Sequence, residues 1–120
     1  RHNRRWFCVI KRGEIYLVDF NPARGSEQAG LRPAVVIQND VGNKYSPTTI
    51  VATITTADRK QYPFAVKLNA PEGGLERDSF VNLSQIITID KERLMKKIGT
   101  LDNQRMAKIN EAIKISLEIQ

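Results

Sequence analysis

Histidine and cysteine are almost missing from this chain of 120 residues: it has one of each, His2 and Cys8, both near the N-terminus. Everything after residue 10 must work without imidazole or thiol. A zinc site needs clustered Cys and His, and Ser-His-Asp or Cys-His nucleophilic catalysis needs at least one imidazole, so all three are excluded. A lone cysteine cannot close an intrachain disulfide, which removes the secreted, disulfide-held scaffold. Long apolar runs are missing too. The apolar stretches have strand length, far short of the roughly 18 residues of a membrane span, and a transmembrane protein is ruled out. The opening RHNRRWFCVIKRG is basic, but its apolar part is confined to residues 6–10 and no small-residue cleavage site follows. It makes a poor secretory signal. The glycines fall in neither GxxxxGK(S/T) nor GxGxxG spacing, so nucleotide-binding loops are excluded as well.

What is present is the balance of a globular domain, 41% hydrophobic and 27% charged, able to bury a real core. The net charge of +6 is uneven: residues 1–12 hold five of the nineteen Lys and Arg and no acid. Residues 13–120 carry fourteen cations against thirteen acids, a net +1. Charge alone is therefore a weak pointer to a polyanionic partner. Residues 1–10 are expected to form a flexible basic arm, and residues 11–120 a single domain.

Along that domain, residues 14–20 (EIYLVDF) read as a strand ending at the Asn21-Pro22 turn. Residues 21–33 form a long polar loop. The apolar run 34–38 predicts a strand buried on both faces, and Asn39-Asp40, Gly42-Asn43 and Ser46-Pro47 mark a further loop. Strands follow at 48–55 and 64–68, then a turn at 70–74. Residues 79–83 and 86–89 form one strand, or two joined by a bend near Ser84-Gln85. A single helical turn at 90–93 and a short strand at 96–99 come next. The clearest helix is C-terminal: Asp102 is a good N-cap, and Met106, Ile109, Ile113 and Leu117 recur at helical spacing. Six or seven short strands and one terminal helix predict an α+β chain that is mainly β, a small SH3-like, partly open β-barrel.

Three places can carry chemistry. The loop 21–33 is longer than a hairpin needs and holds Arg24, Ser26, Glu27, Gln28 and Arg32; its plain reading is a solvated loop. Arg32, however, precedes Pro33, which biases it towards extended backbone beside a buried strand. The second place is the end of the Thr-rich strand. Alternation puts Thr53 and Thr55 on one face and turns Thr56 away, although β propensity alone accounts for threonines there. The third is Glu76-Arg77-Asp78-Ser79, which also reads as a surface ion-pair cluster.

The stretch RGEIYLVDFNPARGSEQAGLRPAVVIQND resembles the N-terminal half of the MazF/PemK family of mRNA interferase toxins. The resemblance continues through VATITT, YPFAVKL, ERDSFVNLSQI and TLDNQRMAKINEAIKISL, covering about residues 11–120. It implies an SH3-like barrel that acts as a homodimer in the cytoplasm. It also implies sequence-specific cleavage of single-stranded RNA without a metal or other cofactor, leaving a 2′,3′-cyclic phosphate and a 5′-hydroxyl. The expected inhibitor is a cognate antitoxin with an acidic disordered segment. By the same resemblance the catalytic arginine falls on Arg32 and the catalytic threonine on Thr55, while Glu27 and Gln28 lie in a loop gating the RNA groove. Ser26, Arg24, Thr56 and Arg77 are further candidates for RNA contact.

The residue inventory is compatible with that chemistry. RNA carries its own nucleophile, the 2′-hydroxyl, so positioning and preorganised charge can supply most of the catalysis. Arginine presents a planar, bidentate donor to phosphate, and a threonine hydroxyl adds one more. Because arginine releases its proton only above about pH 12, Arg32 is better suited to clamp phosphate, and Glu27 is the more economical general base. The main alternative is a non-catalytic toxin on the same barrel that grips a protein such as DNA gyrase; it would lack the arginine–threonine pair. A ribosomal-type nucleic-acid-binding barrel would need a basic face that the body's charge balance argues against.

Overall fold

The computed structural model describes residues 10–21 and 30–120. Six strands form one antiparallel sheet: β1 (Glu14–Asp19), β2 (Leu31–Val36), β3 (Thr48–Thr55), β4 (Ala65–Leu68), β5 (Ser79–Asp90) and β6 (Leu94–Thr100). Their order is β4-β5-β3-β2-β1-β6, so among the described residues the sheet stays open, with β4 and β6 at its edges. Helices α1 (Asp40–Tyr45) and α2 (Asn103–Leu117) and two 3-10 turns, Glu72–Gly74 and Lys91–Arg93, are the other elements among the described residues. The architecture is the mainly β, partly open α+β arrangement that the strand pattern predicts.

The period-two alternation of the strands divides their side chains between two cores. Ile15, Val35, Ala52, Ile54, Val66, Val81 and Leu83 point to the face that α2 covers with Ile109 and Ala112. Tyr16, Val18, Ala34, Val36, Val51 and Leu94 point to the other, together with Ile10 and Ile89. The central strands are therefore buried on both sides, as the continuous apolar run 34–38 predicts. Asp102 caps α2, its carboxylate accepting from the Arg105 N–H at 2.8 Å, and Ile109 is fully buried.

The bend expected in the long strand is a local bulge. Thr53 opposes Asn82 while Ala52 opposes Ile86, so residues 83–85 are extra on β5. The Asn82 Oδ1 accepts from the Ser84 N–H at 3.0 Å and from its hydroxyl at 2.6 Å, which satisfies the backbone where the ladder is broken. The Glu72–Gly74 turn lies directly on β6. Gly73 and Gly74 have positive φ, and a Cβ on Gly74 would collide with the Ile98 carbonyl.

Most strand ends move by one or two residues from the expected ones, β6 running over Leu94–Thr100 rather than 96–99, and two differences are larger. The segment 39–47 is not all loop, because α1 forms within it. Its sequence has no apolar period; polar bonds hold it instead. Asn39 caps it by accepting from the Gly42 N–H at 2.7 Å. The fully buried Asn43 accepts from the Thr49 hydroxyl and the Gln38 amide and donates to the Gln38 carbonyl. The second difference matters more for function: β2 starts at Leu31 rather than residue 34, which places Arg32 and Pro33 inside the sheet.

Candidate active site

Pro33 determines what happens at the start of β2. The Phe20 N–H donates to the Gly30 carbonyl at 3.0 Å, and the Ile37 N–H to the Ile50 carbonyl at 2.9 Å. Through the alternation of antiparallel bonds, even residues of β2 bond to β1 and odd ones to β3. The Pro33 nitrogen therefore faces Ile54 of β3 with no hydrogen to give. Accordingly, β2 pairs with β1 from Leu31 onwards, but its ladder with β3 covers only Ala34, Val35 and Val36. The same register, continued two residues, sets Arg32 across from Thr55 where the β2–β3 bonding has stopped. Both are half-buried.

Arg32 pairs with Val18, and Thr55 with Phe80. Arg32 and Thr55 thus share the face of Val18, Ala34 and Val51, opposite the one that α2 covers. The hydroxyl of Thr55 accepts from the Ala57 N–H at 3.1 Å. A hydroxyl has one donor, and this bond leaves it available to point off the sheet. Thr53, on the same face, is buried, and its hydroxyl donates to the Gln85 Oε1 at 3.2 Å. Its proton is already used. Local hydrogen bonding therefore separates the two threonines that strand alternation makes equivalent.

Further along this face, the buried Glu14 accepts from the Tyr16 hydroxyl at 3.0 Å and from the Lys97 ammonium at 2.9 Å. Burial pushes the Tyr16 phenol well above its ordinary value, and the Glu14 carboxylate pushes it further. Tyr16 is therefore a neutral donor to Glu14 and unsuited to take a proton. Arg12 is structural: its Nε donates to the Ile37 carbonyl and its Nη2 to Asn110, both at 2.7 Å, tying the entry of β1 to α2.

Arg24, Ser26, Glu27 and Gln28 lie outside the described residues. Beside the Phe20–Gly30 bond, the Arg93 guanidinium donates to the carbonyls of Asp19 and Asn21, and Gly30 takes φ +102°. Thr56 and Arg77 are brought together, but around the corner from Arg32 and Thr55. They line a cleft of about 470 Å³ with Leu17, Pro33, Leu75 and Ser79, on the α2 side of the sheet. Among the described residues no three His, Cys, Asp or Glu side chains gather where they could hold a metal ion, and no helix is long and apolar enough to cross a membrane. Sequence reasoning missed Pro33 as the residue that ends the ladder. It also missed Lys67 and Phe80, which share a row with Thr55. The alternation of FAVKL against SFVNL was the available signal.

Comparison with known proteins bears directly on this arrangement. The family pattern described as PemK-like, MazF-like toxin of type II toxin-antitoxin system matches residues 11–117. Endoribonuclease EndoA of Bacillus subtilis is 51% identical over 112 residues, 92% of this chain and 97% of its own. Endoribonuclease MazF of Staphylococcus saprophyticus is 47% identical over 110 residues, 91% of this chain and 92% of its own. Among solved structures, a mycobacterial endoribonuclease in complex with its cognate antitoxin superposes with TM-score 0.79 at 24% identity, covering 92% of this chain and 97% of that one. The family match over nearly the whole domain and two relatives near half identity give one result: the chain belongs to the PemK-like, MazF-like toxin family of type II toxin–antitoxin systems.

Proposed function

We propose that this toxin, an endoribonuclease of its family, cuts single-stranded RNA sequence-specifically at Arg32 and Thr55, by attack of the RNA's own 2′-hydroxyl and without a metal. What supports the reading is the β2–β3 register: its ladder ends at Ala34, and the same register carried two residues further sets Arg32 across from Thr55, whose hydroxyl accepts from the Ala57 N–H and still has a proton to donate. Arg32 clamps the scissile phosphate as its negative charge rises, and Thr55 donates one further hydrogen bond. Preorganised donors of this kind are worth about 10² to 10³ in rate each. Attack of the 2′-oxygen on phosphorus breaks the bond to the 5′-oxygen, which takes up a proton from solvent, giving a 2′,3′-cyclic phosphate and a 5′-hydroxyl. Glu27 is the carboxylate suited to take the 2′-proton. Gln28, Ser26 and Arg24 of its segment, and Thr56 and Arg77 at the adjoining cleft, bind nucleotides flanking the cut.

The same reading extends to partners. A second copy of the chain covers the exposed Leu31 and Met95, which flank the end of β1. An antitoxin with an acidic disordered segment inhibits by laying carboxylates where the RNA phosphates bind, in the cytoplasm where the RNA is met. The test is incubation of one long RNA with the protein in the presence of a chelator, followed by mapping of the new ends. Discrete cuts with cyclic-phosphate and 5′-hydroxyl ends are expected. Cutting that stops in chelator and returns with magnesium would overturn the mechanism, and an uncut RNA would overturn the activity.

A further inference from the structure

The register of the sheet continues beyond Thr55. Thr55 pairs with Phe80, and Phe80 pairs in turn with Lys67 on the edge strand β4. Directly opposed residues of antiparallel strands project to the same face. Arg32, Thr55, Phe80 and Lys67 therefore form one cross-strand row on the side away from α2. At about 4.8 Å between neighbouring strands, the row is roughly 14 Å long, with a cation at each end. Phe80 is itself buried, and the Lys67 ammonium stands over its ring at 5.8 Å from the centroid. Among the described residues no carboxylate lies within ion-pair distance of Lys67. A lysine on a sheet edge is ordinarily solvated or ion-paired. This one is exposed, held in place by the ring beneath it, and keeps its N–H donors for an outside acceptor.

From this row we infer that Lys67 is a phosphate-binding subsite for the RNA strand that leaves the Arg32–Thr55 centre. It takes a backbone phosphate beyond the scissile one and sets the path of the substrate across β3 and β5 towards the β4 edge. The inference rests on the cleavage reading above. The contact is to the sugar-phosphate backbone, so it contributes affinity and alignment and no base preference. Its signature is electrostatic. Each single-strand phosphate contact contributes about 0.7 to the slope of log affinity against log salt.

The experiment is single-turnover cleavage of a short single-stranded RNA carrying a mapped cut site, with half-saturating concentration and plateau rate measured at several salt concentrations. For Lys67→Gln, the log–log slope of half-saturation should fall by about 0.7, a weakening of about fivefold at 0.1 M salt. The loss should fall on half-saturation rather than on the plateau rate. Lys67→Arg, which keeps the charge, should restore the slope. Lys114→Gln is the control: Lys114 lies on α2, across the sheet, and its ammonium contacts Glu111 at 3.4 Å. It should match the wild type. A wild type that cuts, with Lys67→Gln showing the wild-type slope, overturns the subsite alone. An equal loss in Lys114→Gln also overturns it, because the effect would then be one of net charge. A wild type that leaves the RNA uncut overturns the cleavage reading and this inference with it.

Discussion

Pro33→Ala gives the sheet the hydrogen that its second strand lacks. The new N–H at position 33 would face the Ile54 carbonyl in the bonding position that the β2–β3 alternation prescribes, and the ladder, which now stops at Ala34, would lengthen by one bond. That bond is worth about 0.5–1.5 kcal/mol net. Against it stands the loss of proline's restriction of the unfolded chain, about 0.4–1 kcal/mol. The two nearly cancel, so stability should change by less than about 1 kcal/mol. Activity should not be spared. A new bond one residue away shifts the backbone that holds Arg32 opposite Thr55. A misplacement of about 1 Å at a reacting centre can cost about a hundredfold in rate. The assay combines single-turnover RNA cleavage, urea unfolding and hydrogen exchange at residue 33. The expected result is a protected amide at that position, unchanged stability and a rate down by about ten- to a hundredfold. A protected amide with a wild-type rate would refute the reasoning.

Other expectations follow from the same geometry. Thr55→Ser keeps the donor and should retain most activity, whereas Thr55→Val keeps the shape and should lose about 10² in single-turnover rate; equal rates for the two would remove the hydroxyl from the mechanism. Gly30 sits at φ +102° with open space where a Cβ would stand. Gly30→Ala should therefore lower stability by roughly 1–2 kcal/mol through backbone strain alone, read as a shift of the urea midpoint, and an unchanged or raised midpoint would contradict this. Asp40 is held below the ordinary carboxylate value first by the Arg12 backbone N–H at 2.7 Å, then by Asn43 and the charges of Lys11 and Arg12, with burial opposing. A depressed folded value means its stabilisation is present above the unfolded value and is lost as pH falls through the folded one. The difference in urea midpoint between wild type and Asp40→Asn should shrink as pH drops from 7 towards 3, and a constant difference would argue against it.

The sequence was most legible where one force dominates. The β-branched run at Thr48–Thr55 and the capped, periodic C-terminal helix form where their side chains predict. Even the bend at Ser84-Gln85 is real, because Asn82 can satisfy the broken backbone locally. What was not legible depends on partners distant in sequence. The helix α1 is held by Thr49, Gln38 and the Lys91 ammonium on the Asn43 carbonyl, none of which leaves a periodic trace. Arg32 looks like the last turn of a polar loop until β1 pairs with it through Val18. Thr53 and Thr55 are equivalent by alternation, and only Gln85 and the Ala57 N–H separate them. The Lys67–Phe80 row requires two registers at once, β4 on β5 and β5 on β3.

On the proposed reading Arg32, set across from Thr55 by the β2–β3 register, stabilises the charge that develops on the scissile phosphate. Its most direct test is the single-turnover cleavage rate of Arg32→Ala and Arg32→Lys at saturating enzyme, with folding checked by circular dichroism. Arg32→Ala should lose at least about 10² to 10³ in rate, and Arg32→Lys should recover little because an ammonium lacks the planar fork. A folded Arg32→Ala protein cutting RNA at the wild-type rate would contradict it.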